Sequence, residues 1–114
     1  MELVLNGQEY SVRTEASSLA SSIEGMLPLT LKLSRSADHE YYTSLSEQAD
    51  VAGAESTSHV KAGWIYYFKD WNAFALNFKE TDIAPYKVYV IGEVSGDIES
   101  ILDKCGQSIE VTIR

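Results

Sequence analysis

From Tyr86 to Leu102 the chain reads as a buried strand, a glycine near its end, a tight polar link and a capped helix. In the strand, over Lys87–Val94, Val88, Val90 and Val94 share one face with Gly92, while Tyr89 and Ile91 occupy the other. Both faces are therefore partly covered. Gly92 inside this apolar run predicts a bulge or the close approach of another backbone. Ser95 or Asp97 caps the helix, because its side-chain oxygen can accept from an unpaired N–H of the first turn. Ile98, Ile101, Leu102 and Cys105 fall at i, i+3, i+4 and i+7, and Gly106 supplies a left-handed stop. Cys105 is thereby placed on the buried helix face as a small core residue.

The rest of the chain supplies many short alternating runs. Asn6-Gly7, between Leu3-Val4-Leu5 and Tyr10-Ser11-Val12, predicts a two-residue hairpin in which Leu5 faces Gln8 and Leu3 faces Tyr10. Met1, Leu3, Leu5, Tyr10 and Val12 then share the core face. Leu19, Ile23, Met26 and Leu27 follow a helical period, capped by Ser17 or Ser18 and ended by Pro28. Leu29, Leu31 and Leu33 alternate with polar residues in a strand. Arg35–His39 turns the chain into a second strand, Glu40–Leu45, with Tyr41, Thr43 and Leu45 on one face. Residues 46–63 are polar and rich in small side chains. A stretch this long without structure is uncommon, and Val51 marks a short edge strand inside a mobile loop.

Trp64–Lys69 and Ala73–Lys79 form the densest apolar pair, an antiparallel hairpin with Trp71 at its tip. Glu80–Pro85 is a loop. Ile109, Val111 and Ile113 close the chain as a last strand. About eight strands with two short helices, one after the first hairpin and one before the last strand, favour a closed barrel with helices over its ends.

The chain has 114 residues, enough for one domain with its own core. Seventeen acids against nine bases give a net charge of −8. That balance argues against nucleic acid or an anionic membrane as partner. No apolar run nears the ~20 residues of a membrane span, and no basic-then-apolar leader opens the chain. With a single cysteine and no internal disulfide, the expected location is the cytoplasm.

With those elements placed, the order becomes familiar. Leu27-Pro28-Leu29 ends the first helix, and Ala62-Gly63-Trp64-Ile65-Tyr66-Tyr67 opens an aromatic strand. Phe74-Ala75-Leu76-Asn77-Phe78 follows, then Val88-Tyr89-Val90-Ile91-Gly92-Glu93-Val94, then Gly96-Asp97 before a helix. This pattern resembles the small prokaryotic cyclophilin-like domain family across residues 1–114. The resemblance implies a mainly β, closed cyclophilin-like barrel and a family largely without assigned activity. True cyclophilins isomerise prolyl peptide bonds with an arginine beside a phenylalanine pocket and neighbouring Gln, Trp and His. Their Phe-His-Arg run and Gln-Gly-Gly-Asp stretch are absent, and Arg13, Arg35 and Arg114 stand beside no such motif. Two loops, at Lys69-Asp70-Trp71-Asn72 and Lys79-Glu80-Thr81-Asp82, also depart from the Pro-rich turns of relatives.

Three functional readings follow. The first is a binding domain that takes a small molecule or peptide in an aromatic cleft lined by Tyr66, Phe68, Trp71, Phe78 and Tyr86. Trp71 and Tyr86 lead this set because both sit at element ends. The second is a weak peptidyl-prolyl isomerase using the same cleft, whose proline slot Tyr42 could also line. It lacks a donor, and Lys69 or Lys87 is a poor substitute for the planar fork of an arginine. The third is a small hydrolase or transferase-like activity using Glu80 and Asp82, a carboxylate pair that shares a face if extended. No cofactor is implied. No metal site is expected either, since His39 and His59 stand apart in sequence and Cys105 is assigned to the core. Ser18, Ser21 and Ser22 have no histidine nearby in sequence and read as solvated helix serines.

Overall fold

The computed structural model describes residues 1–114. β1 (Glu2–Leu5) and β2 (Gln8–Thr14) form the expected hairpin, with Leu5 opposite Gln8 and Leu3 opposite Tyr10. Asn6 and Gly7 both take positive φ, as a tight hairpin turn requires. α1 (Ser18–Glu24) is capped by Ser17, whose hydroxyl accepts from the Ala20 N–H at 3.1 Å. β3 (Leu29–Ser36) and β4 (Glu40–Ser44) follow, then two-residue strands β5 (Ser56–Thr57) and β6 (His59–Val60). β7 (Trp64–Phe68) and β8 (Ala73–Asn77) are joined by a 3-10 turn over Lys69–Trp71. β9 (Thr81–Asp82), β10 (Val88–Val94), α2 (Ile98–Asp103) and β11 (Ser108–Ile113) complete the chain.

The sheet runs β2-β1-β11-β3-β4-β8-β7-β10, and β10 pairs back to β2. Eight antiparallel strands therefore close into a barrel, with two short helices, as the alternation of short apolar runs implied. No helix is long and apolar enough to cross a membrane. The interior is filled by Leu3, Leu5, Leu33, Tyr41, Ile65, Tyr67, Phe74, Leu76, Ile91, Val111 and Ile113, none more than 1% exposed. Ile23 and Leu19 of α1, and Ile98 and Leu102 of α2, pack into the same core.

β10 is the strand on which closure depends. Along one side it pairs with β7 from Tyr89 to Glu93. Along the other it pairs first with β5 and then, from Gly92 to Val94, with β2. The register with β7 slips between Val90 and Gly92, which leaves Ile91 as an extra residue. Gly92 is also the point of close approach: a Cβ there would lie 2.5 Å from the Arg13 carbonyl oxygen. Both consequences read from Gly92 in the sequence therefore occur together.

The bulge corrects one expectation. Strict alternation puts Val88, Val90 and Val94 on one face. With the extra residue, Ile91 and Val94 both enter the barrel core, while Val88 and Val90 form a separate cluster with Val60 and Tyr66. Other corrections are local. Val51 forms no strand; the pairing residues lie later, at Ser56–Thr57 and His59–Val60. The segment around Val51 is instead tied to α1, by Ser18 N–H to the Ala52 carbonyl and Asp50 N–H to Ser22 Oγ. Thr81–Asp82, read as loop, pairs with His59–Val60. α1 ends at Gly25 rather than at Pro28.

Gly106 does not adopt the left-handed conformation. The carbonyls it was to satisfy go elsewhere. Arg35 Nη1 donates to the carbonyls of Leu102, Asp103 and Cys105 at 3.1–3.3 Å, and Tyr41 Oη donates to that of Gly106 at 2.7 Å. A largely enclosed guanidinium thus does the work of a C-terminal glycine motif. Ile101 is 38% exposed, because only Ile98 and Leu102 of this short helix face the barrel and Ile101 lies about 100° from Leu102 around the axis. Cys105 is half-buried just beyond the helix, its thiol donating to the Ile101 carbonyl.

Gly92→Ala should cost about 2 kcal/mol or more, since a methyl group would be forced against backbone rather than a movable side chain. Chemical denaturation of the variant checks this. An unchanged midpoint would mean that β10 and β2 can separate without loss.

Candidate functional site

Outward-facing side chains of a barrel normally meet water. Here much of the outer face of β8, β7 and the first half of β10 is instead apolar. Phe68, Ala73, Ala75 and Val88 project from it, and the segment carrying Ile83 and Tyr86 folds over them. Between them lies an open cleft of about 420 Å³. Ala73 and Ala75 form its floor; both are buried, and their small size leaves the space. Phe68, Trp71, Tyr42, Ile83 and Tyr86 supply the walls, and Ser36, His39 and Glu40 the polar rim.

The aromatic wall is ordered. Trp71 stacks on Phe68 at 4.6 Å with an interplanar angle of 10°, and Tyr86 leans on Phe68 at 5.9 Å and 55°. Trp71 is 62% exposed and Tyr86 55%, so each keeps much of its ring open to solvent. Asn72 explains how a tryptophan can be held at a hairpin tip. It adopts a left-handed conformation (φ 48°), which asparagine tolerates, and its side-chain amide donates to the carbonyls of Leu45 and Glu47 at 3.0 and 2.9 Å. Its oxygen accepts from the hydroxyl of the buried Tyr67. The tip is thus tied to the barrel wall beneath it.

The rim is set by a buried polar pair. The Asn77 side-chain amide donates to the carbonyls of Lys61 and Lys79 at 3.0 and 2.7 Å, so its oxygen is the acceptor that faces His39 Nδ1 at 2.9 Å. That assignment puts the proton of His39 on Nδ1. Glu40 Oε1 lies 3.6 Å from the same nitrogen. Burial pushes the Glu40 carboxyl above the usual glutamate range, with His39 opposing the shift.

The five aromatic residues named from the sequence separate in space. Phe68, Trp71 and Tyr86 line the cleft. Tyr66 lies on the same outer face but is covered by Val60, Val88 and Val90, and its hydroxyl accepts from the Lys61 N–H at 2.9 Å. Phe78 is inside the barrel, tilted against Tyr41 and beneath Arg35. Tyr42, a further candidate for the slot, also lines the cleft, as the alternation in Glu40–Leu45 that sets it opposite Tyr41 allows. Glu40 and His39 line it without having been singled out.

No arginine lines the cleft. Arg35, the one whose guanidinium is most enclosed, is fully engaged: besides the helix carbonyls it donates to Tyr41 Oη at 3.0 Å and to Asp38 through Nε and Nη2. These bonds, Asp38 first, hold its pKa even higher than usual. Arg13 is exposed and paired with Glu15 and Glu93.

Glu80 and Asp82 do come together, but around His59. Asp82 Oδ1 meets His59 Nδ1 and Glu80 Oε2 meets Nε2, both at 2.5 Å. The cluster is exposed and links β6 to the strand that leads into Ile83 and Tyr86. The two carboxylates, Asp82 foremost, raise the His59 pKa above its ordinary value. Protonation is therefore favoured in the folded state. The stabilisation is fully present below about pH 6.5 and is lost as pH rises through the higher folded-state value. The melting-temperature difference between the wild type and His59→Gln should be largest on the acid side and shrink above neutrality. A difference independent of pH would show that the cluster contributes nothing through charge.

The cyclophilin-like family model matches residues 3–114. Among solved structures, the chain is similar to the solution structure of a hypothetical protein from Archaeoglobus fulgidus. The two share 20% identity over 97% of this chain and 89% of that one, with a TM-score of 0.66. At that identity the likeness is one of fold. No curated protein matches the chain.

Proposed function

The chain belongs to the cyclophilin-like family, and on that premise we propose that it is a binding domain that takes a small molecule or the apolar side chain of a peptide in the aromatic cleft on the barrel's outer face. One observation carries this reading: an apolar space of about 420 Å³ outside the core, floored by two alanines and walled by rings that remain half open to water. That volume falls within the range of small-molecule sites. Large aromatic surfaces left exposed beside a concavity are costly to keep unless something covers them.

The isomerase reading needs a donor that draws electron density from the prolyl amide, whose rotation barrier is about 20 kcal/mol. Every arginine is committed elsewhere or lies outside the cleft, so a proline ring could be held there without its bond being weakened. Peptide binding without faster cis/trans exchange is the outcome this arrangement supports. NMR exchange spectroscopy on an Ala-Pro peptide is the measurement; clear acceleration would return the protein to catalysis. The third reading, a hydrolase or transferase-like activity at Glu80 and Asp82, gains no support from carboxylates that are both occupied by His59.

Two substitutions test the cleft itself, with 2-phenylethanol as the apolar probe followed by amide chemical shifts. Trp71→Ala removes a wall and should weaken binding about tenfold or more. Ala75→Phe fills the floor and should abolish it. Neither change touches the barrel interior, so both variants should keep a dispersed amide spectrum. Unchanged affinity in both would place any ligand elsewhere.

A further inference from the structure

The cleft's chemistry narrows what it can hold. Twelve residues line it and nine are apolar; the other three are Ser36, His39 and Glu40. Glu40 is the only acid among them, and no lysine or arginine lines the space at all. Asp38 is held by Arg35 and Lys79, Glu93 by Arg13, and Glu9 by Arg114. Eleven of the seventeen acids, Glu40 among them, have no lysine or arginine within ion-pair distance, but Glu40 is the one of these that lines the cleft. Its one close cationic candidate is His39 Nδ1 at 3.6 Å, and the proton on that nitrogen is donated to Asn77 Oδ1.

The Glu40 side chain is only 27% exposed. It projects from the first position of β4 on the same face as Tyr42, which places the carboxylate at the rim of an aromatic space. A half-buried carboxylate without a lysine or arginine partner is under-compensated in the free protein, and a ligand bringing a positive charge would supply that compensation. The faces of Trp71 and Tyr86 suit the same charge, because the ring quadrupole attracts cations.

We propose that the cleft is selective for small organic amines: molecules with an apolar body that rests on Ala73 and Ala75 between Trp71 and Tyr86, and one ammonium group that pairs with Glu40. This rests on the binding reading given above and specifies its ligand class. A neutral molecule of the same shape would fill the cleft but leave Glu40 unpaired. An anionic one would be repelled by the only charge at the rim, and by the net charge of −8 behind it.

The test uses three soluble probes of one size: 2-phenylethylamine as the cation, 2-phenylethanol as the neutral form and phenylacetate as the anion. Each is titrated into labelled full-length protein at neutral pH and followed by amide shifts of the cleft residues. The amine should bind about tenfold tighter than the alcohol, as a charge-assisted pair in a partly desolvated site predicts, and phenylacetate should bind weakest. Glu40→Gln should erase the margin between amine and alcohol, the amine's affinity falling by about tenfold. Equal affinities for amine and alcohol in the wild type, or a margin that survives in Glu40→Gln, would overturn the amine proposal while leaving the cleft as a binding site. Absence of shifts with every probe would overturn both readings.

Discussion

The double pairing of β10 is the constraint on which the rest depends. A sheet of eight strands closes only if the strands at its two ends pair with each other, and β10 does so with β2 while still bonding to β7. Closure removes the free edges that would otherwise pair with other chains. Gly92 permits it, since any side chain there would collide with the Arg13 backbone. The extra residue beside it does something further. It turns the second half of β10 inward, so that Ile91 and Val94 join the core, and leaves Val88 and Val90 to build outward. One irregularity in one strand thereby supplies side chains to two layers.

The outer layer is what separates this barrel from a simple one. Tyr66, Val88 and Val90 would be exposed on a bare sheet; Val60 and the neighbouring Ile83 cover them. The covering segments are short of regular structure, and two-residue bridges and a histidine held between two carboxylates fasten them together. Where that cover stops, the alanines of β8 leave the cleft open. At the other end of the core, Arg35 closes α2 onto β3 and Tyr41, and spends its donors doing so. The same arginine cannot serve both the closure and a bound amide.

Much of the barrel was legible in the sequence because its signals are local. Asn6-Gly7 dictates a hairpin register, and Leu29-Leu31-Leu33 and Ile109-Val111-Ile113 declare their buried faces by period two. What could not be read depends on contacts between distant segments. Ile91 as an extra residue leaves no local mark, so the face assignment of Val94 failed while the hint at Gly92 succeeded. Arg35 reaches carbonyls nearly seventy positions away, and nothing near Gly106 announces that its left-handed role is already filled. His59 is separated from Glu80 and Asp82 by more than twenty positions and appeared isolated. Of the aromatic set, Phe68, Trp71 and Tyr86 stand together at the cleft, whereas Tyr66 and Phe78 were drawn in by hydrophobicity, a property that core and cleft residues share.

That shared property is also why Glu40 carries more information than any ring beside it. An aromatic residue lowers free energy by burial wherever it packs, so its presence at a cleft says little about what the cleft holds. A carboxylate behaves oppositely. Apolar surroundings raise the cost of its charge, and a neutral side chain of the same shape would avoid that cost. The same desolvation strengthens attraction to an incoming cation, because fewer waters screen the pair. On the amine reading, the burial that penalises the free form of Glu40 also sharpens its preference for a cation once the cleft is filled.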